Sequence, residues 1–125
     1  MKRIGTTLAL IALAAFVAAC SGADAAPPAS AAPDALKISS NNLKFSTDTL
    51  EATAGKAFQI VYENQEAAPH NVAIYKDETA KEKILVEDPF SGPKTVVYEV
   101  PALDAGTYFF RCDVHPDMKG SLVVK

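Results

Sequence analysis

Residues 106–125 read "GTYFFRCDVHPDMKGSLVVK", and the fold turns on how that stretch divides. "TYFFR" and "SLVVK" are short runs of aromatic and β-branched residues, the composition of strands. Between them Cys112, His115 and Met118 recur every third residue, a spacing that one face of a helix would also produce. Pro116 falls inside that span, has no N–H to give, and would break such a helix. The segment "DVHPDM" is therefore a loop joining two adjacent strands. Cys112 closes the first, and Lys119 or Gly120 opens the second.

Upstream the same texture runs from Leu36. "LKIS" and "LKFS" alternate apolar and polar residues around "SNN", and "TLEATAGK" carries a turn at Ala54-Gly55. "AFQIVYEN" sets Phe58, Ile60 and Tyr62 on one face, and "HNVAIYK" and "TVVYEV" follow. Seven or eight short strands with turn residues between them predict an all-β, Greek-key sandwich. One segment, "DETAKEKILVEDPFSGP", breaks the rhythm. Within it "ETAKEKIL" predicts two helical turns capped by Asp77, and Pro89, Gly92 and Pro93 predict a loop. No internal repeat is visible.

The amino terminus has a different character. "MKRIGTTLALIALAAFVAAC" places Lys2 and Arg3 before an apolar run and small residues before Cys20, the layout of a secretory signal over residues 1–19. The apolar run is too short and alanine-rich for a membrane span, which needs about 20 strongly apolar residues. "VAAC" resembles a bacterial lipobox, with Val17 where leucine is more usual; this implies lipidation of Cys20. Ordinary cleavage after Ala25 would instead give a soluble periplasmic protein. Residues 20–34, rich in Ala, Pro and Ser, predict a disordered flexible linker. The folded domain then spans residues 35–125. Ser21 after the lipidated cysteine favours outer-membrane sorting in a bacterium with two membranes.

Charge and cysteine use narrow the function. The chain of 125 residues carries a net charge of −3 with no basic run, which argues against nucleic acid as a partner. Small exported domains commonly pair their cysteines, yet here Cys112 has no partner once Cys20 is lipidated. A lone thiol in an oxidising compartment is buried, metal-bound, or a liability.

The chain has two histidines. The second, His70 in "EAAPHNVAIY", follows Pro69 at the start of a strand, where a sandwich can turn it toward the Cys112 loop. Alone, a histidine at a strand end is usually a solvated residue, and a lone methionine is usually packing. Together, two imidazoles, a thiol and a thioether suit copper, in the His₂Cys arrangement with a distant Met. Zinc is poorly served by methionine, and iron–sulfur clusters need more cysteines.

"APHNVAIYKDE" and "GTYFFRCDVHPDMKGSLVV" together resemble the cupredoxins, the small type 1 blue copper proteins, over about Leu36 to Lys125. The Cys-x-x-His-x-x-Met spacing is similar to the short loop of the amicyanin type. The resemblance implies His70, Cys112 and His115 as trigonal copper ligands and Met118 as the weak axial one. It also implies that Asn71 ties the two ligand loops together. Two positions depart from the family pattern: Asp113 stands where Ser or Thr is common, and Arg111 where an aromatic often precedes the cysteine.

Function follows from that ligand set. Four protein ligands leave no open position for a substrate or nucleophilic water, and no histidine remains as a general base; the chain is expected not to be an enzyme. The expectation is a monomeric one-electron carrier, lipid-anchored through Cys20 on the periplasmic side of a bacterial membrane. It would exchange electrons with donor and acceptor proteins that dock near His115. By resemblance, Ala67, Ala68, Pro69 and Pro116 form an apolar docking ring, with Phe90 and Pro93 if their loop folds over. A copper-storing or copper-delivering lipoprotein is the alternative, and a metal-free adhesive sandwich the third reading.

Overall fold

The computed structural model describes residues 30–125. The expected signal segment, Cys20 and the linker as far as residue 29 lie outside the described residues. From Ala32 onward the chain is already attached to the domain. The Ala32 N–H donates to Gln59 Oε1 at 2.6 Å, and Ala35 N–H closes a turn onto the Ala32 carbonyl.

Nine strands follow in order: β1 (Leu36–Asn41), β2 (Lys44–Phe45), β3 (Thr49–Ala52), β4 (Phe58–Asn64), β5 (Ala73–Tyr75), β6 (Lys83–Leu85), β7 (Lys94–Val100), β8 (Gly106–Arg111) and β9 (Lys119–Val124). They form two sheets, β2-β1-β4-β7 and β3-β9-β8-β5-β6. The all-β sandwich expected from the strand pattern is what the chain builds. Among the described residues there is no helix.

Alternation along the strands explains the layers. Ile60 and Tyr62 of β4, with Ile38 of β1 and Val100 of β7, point inward from one sheet. Tyr108 and Phe110 of β8, with Leu122 and Val124 of β9, meet them from the other. Side chains two apart share a face of a strand, so Phe109 turns to the outer side. There it packs with Ala73, Tyr75 and Ala80 in a smaller cluster. Each fully buried large side chain, such as Phe110, contributes about 1.5–3 kcal/mol by leaving water. Two tyrosine hydroxyls of this core are satisfied: that of Tyr62 lies 2.7 Å from Ser40 Oγ, and that of Tyr108 donates to the Asp104 carbonyl at 3.0 Å.

The segment expected to be helical is not. Asp77 does cap a turn, accepting the Thr79 N–H at 2.9 Å, but Ala80, at φ 53°, ends it at once. Residues 83–85 then pair with β5 as the edge strand β6. Helix propensity is a weak preference; here Ile84 and Leu85 pack against the sandwich core, and that burial decides the outcome. This edge strand is why the count is nine rather than seven or eight.

Register places the site. Ser40 of β1 is opposite Asn64 of β4, and Asn64 is opposite Lys94 of β7. In the other sheet Arg111 is opposite both Ala73 and Lys119. The β1–β2 turn, the β4–β5 loop, the β6–β7 loop and the β8–β9 loop therefore emerge at one end of the sandwich.

Candidate metal centre

The β8–β9 loop folds on itself. Cys112 N–H donates to the Met118 carbonyl at 2.8 Å, and Met118 N–H to the His115 carbonyl at 2.8 Å. These bonds hold Cys112 and His115 on the same side of the loop while Met118, 3% exposed, closes it from within.

His70 is fixed from the opposite loop. It exchanges two backbone hydrogen bonds with Phe90 of the β6–β7 loop, at 3.1 and 3.0 Å. Asn64, buried at the end of β4, organises the turn between. Its Nδ2 donates to the carbonyls of Ala68 and Phe90, each at 2.8 Å, and its Oδ1 accepts the Glu66 N–H. Gly92 donates its N–H to the Glu66 carbonyl and lies so close to Asn64 that a Cβ there would overlap its backbone.

These supports converge three of the four expected ligands. His70 Nδ1 and His115 Nδ1 lie 3.6 and 3.8 Å from Cys112 Sγ, and 3.0 Å from each other. His70 and Cys112 are wholly buried; His115 is half-buried. Bonds of about 2.0 Å to nitrogen and 2.3 Å to sulfur, meeting at about 120°, put nitrogen and sulfur about 3.7 Å apart. The two sulfur–nitrogen separations match that figure. The two nitrogens are about half an ångström closer than the same geometry gives, a difference that a small ring tilt covers. Two imidazoles and a thiol at these separations fit a single soft-liganded ion.

Glu66 was not singled out by the sequence. Its Oε1 lies 2.9 Å from His70 Nε2 and also accepts the Leu43 N–H at 2.9 Å. The Leu43 N–H, acting against burial and helped by His70, holds the Glu66 carboxyl below the usual carboxylate range. An ionised carboxylate only accepts, so Nε2 carries the proton and Nδ1 presents its lone pair. The available signal was a carboxylate four residues before the histidine in "EAAPH".

Asn71, buried, spans the two loops: its Oδ1 accepts the Asp113 N–H at 2.9 Å, and its Nδ2 donates to the Glu87 carbonyl at 2.7 Å. Burial pushes the Asp113 carboxyl up, but hydrogen bonds from Tyr75, Arg111 and Asn71 outweigh it and hold the group below its ordinary range. Of the expected docking ring, Ala67, Pro69, Pro93 and Pro116 are exposed, and Ala68 and Phe90 half-buried. Leu43 and Val114, 52% and 48% exposed, are apolar residues of the same end that the sequence did not single out.

The family model that matches is described as a cupredoxin-like domain and spans residues 8–124. Amicyanin-alpha of Methylorubrum extorquens is 36% identical over 126 residues, covering 100% of both chains. Amicyanin of Paracoccus denitrificans is 31% identical over 134 residues, covering 98% of this chain and 96% of its own. Among solved structures, dithionite-reduced auracyanin from Roseiflexus castenholzii superposes with a TM-score of 0.66. It is 20% identical, covers 77% of this chain and 99% of its own, and so speaks to the fold.

Proposed function

The chain belongs to the cupredoxin family, and on that premise we propose that it is an exported one-electron carrier. Its cofactor is one type 1 copper ion. In this reading His70, Cys112 and His115 would hold the ion, and Met118 would be a weaker fourth donor. The observation that carries the reading is the triangle of two Nδ1 atoms and one Sγ, with the far nitrogen of His70 committed to Glu66.

Bound there, copper supplies exchange of one electron between its cupric and cuprous states. The protein's own part is to keep the donor atoms still. His70 and Cys112 are wholly buried on loops joined through Asn71, with His70 also held by Phe90, so little has to rearrange as the charge changes. With both histidines engaged, neither is free as a general base, which supports a carrier rather than an enzyme. His115, the more exposed of the two, is the edge at which electrons enter and leave. The exposed apolar residues Leu43, Ala67, Pro69, Val114 and Pro116 form the face on which redox partners dock. Lipidation at Cys20 would anchor a monomeric carrier at the periplasmic face of a membrane, with the residues between Cys20 and Ala32 as its tether. Cleavage after Ala25 would instead free it.

Copper delivery is the less favoured reading, because burial of two ligands argues against ready exchange. The test is voltammetry of the copper-loaded full-length chain. One reversible one-electron wave is expected at one copper per chain, with a colour that ascorbate bleaches by reducing the cupric form and ferricyanide restores by oxidising the cuprous one. Copper that passes to a competing chelator within the mixing time, with no reversible wave, would support delivery instead.

A further inference from the structure

The two residues that depart from the family pattern around Cys112 touch each other. Arg111 Nε donates to Asp113 Oδ1 at 3.0 Å, and the Tyr75 hydroxyl donates to the same oxygen at 2.7 Å. Asn71 Nδ2 reaches the other oxygen, Oδ2, at 3.3 Å. The Arg111 guanidinium lies over the Tyr75 ring, 5.0 Å from its centroid. Tyr75 itself is buried, and the Arg111 and Asp113 side chains are only 29% and 24% exposed. A solvated surface ion pair contributes little. This one is only partly solvated and is not alone: the carboxylate is gripped by a phenol, a guanidinium and an amide, with charge-assisted bonds among the contacts.

The β-register explains why these residues meet. Arg111 is opposite Ala73, and Tyr75 is opposite Phe109, so Tyr75 and Arg111 lie diagonally on the outer face of one sheet. Asp113 follows where β8 gives way to the loop, with its N–H already held by Asn71. A serine or threonine at that position is too short to reach the phenol and carries no charge.

We propose that Tyr75, Arg111 and Asp113 are positioning residues that fix one carboxylate charge beside the Cys112 loop and so lower the reduction potential of the copper. The inference rests on the copper reading above. Cupric copper carries one more positive charge than cuprous copper, so a fixed negative charge nearby favours the oxidised ion. The effect is screened less in a part-buried site than in water. Arg111 offsets part of that charge while orienting its source; Tyr75 orients it without changing the charge.

Charge and mere support predict different signs. Asp113→Asn keeps the shape and removes the charge, so the potential of the copper-loaded full-length chain rises. Arg111→Gln uncovers the charge, so the potential falls, and the double variant returns toward the parent. A purely structural role would loosen the loop in both single variants and move them in the same direction. In the metal-free protein, Tyr75→Phe and Arg111→Gln are expected to speed hydrogen exchange of the Asp113 amide several-fold. Opposite potential shifts with faster exchange support the proposal. An unchanged or lowered potential in Asp113→Asn overturns it. A parent chain that never develops a sulfur-to-copper charge-transfer band would instead overturn the copper reading, and the exchange measurement would still decide whether the clamp exists.

Discussion

His70 has two ring nitrogens, and Glu66 takes one of them. That bond does what a distant residue cannot: it chooses the tautomer and holds the plane of the ring, and such outer partners typically account for about 10–100-fold in metal affinity. Glu66→Gln retains an acceptor for the Leu43 N–H but removes the charge, and its amide can turn either face to His70. Cupric affinity is expected to fall by about 10-fold or more while the copper potential rises, both measurable by chelator competition and voltammetry. An unchanged affinity would mean that backbone contacts alone set the ring. Only its place four residues before His70 marks Glu66 among the other carboxylates, because its role depends on the β4–β5 loop bending back on Asn64. The expected donors, by contrast, stand out together in the sequence, because the domain has one thiol and two imidazoles and Cys-x-x-His-x-x-Met groups three of the four.

At the scale of elements, the strands are readable where apolar residues alternate, as in β4, or where aromatic residues run together, as in β8, and misread where helix-forming residues cover an edge strand. "ETAKEKIL" has local helix preference, but pairing with β5 and burial against the core override it. The loops obey the same rule. Two glycines separate the metal end from the opposite end. Gly92→Ala would drive a Cβ into the Asn64 backbone and to 2.8 Å from the Glu66 carbonyl, so overpacking should cost about 1–3 kcal/mol and weaken copper binding. Gly55→Ala has open space but a φ of +72°, in the turn leading into β4 at the far end. It should destabilise by about 1 kcal/mol and leave copper binding unchanged. Denaturant unfolding and copper titration of both variants check this; equal copper affinities in the two would contradict it.

At the scale of the molecule, sequence pattern predicts that a sandwich forms but not which loops meet. That follows from register: Ser40, Asn64 and Lys94 in line on one sheet, and Ala73, Arg111 and Lys119 on the other. The core these sheets enclose has a titratable member. Burial pushes the Tyr62 hydroxyl up to about 12, with its Ser40 hydrogen bond opposing. The native state therefore keeps this proton after the unfolded chain has lost it. Stability from this group is complete below about pH 10 and is lost as pH rises toward about pH 12. Tyr62→Phe should cost stability near neutrality through the Ser40 contact yet flatten the alkaline decline, measured as unfolding midpoints across that range. A decline of the same steepness in the variant would place its cause elsewhere. The whole sandwich serves one end, where two buried donor atoms and one half-exposed one stand at separations that fit a copper ion. Adding cupric ion to the full-length chain and recording its visible absorption tests that most directly. An intense sulfur-to-copper charge-transfer band is expected that saturates at one copper per chain and is absent in Cys112→Ser; a weak, pale spectrum identical in parent and variant would contradict a copper held by Cys112.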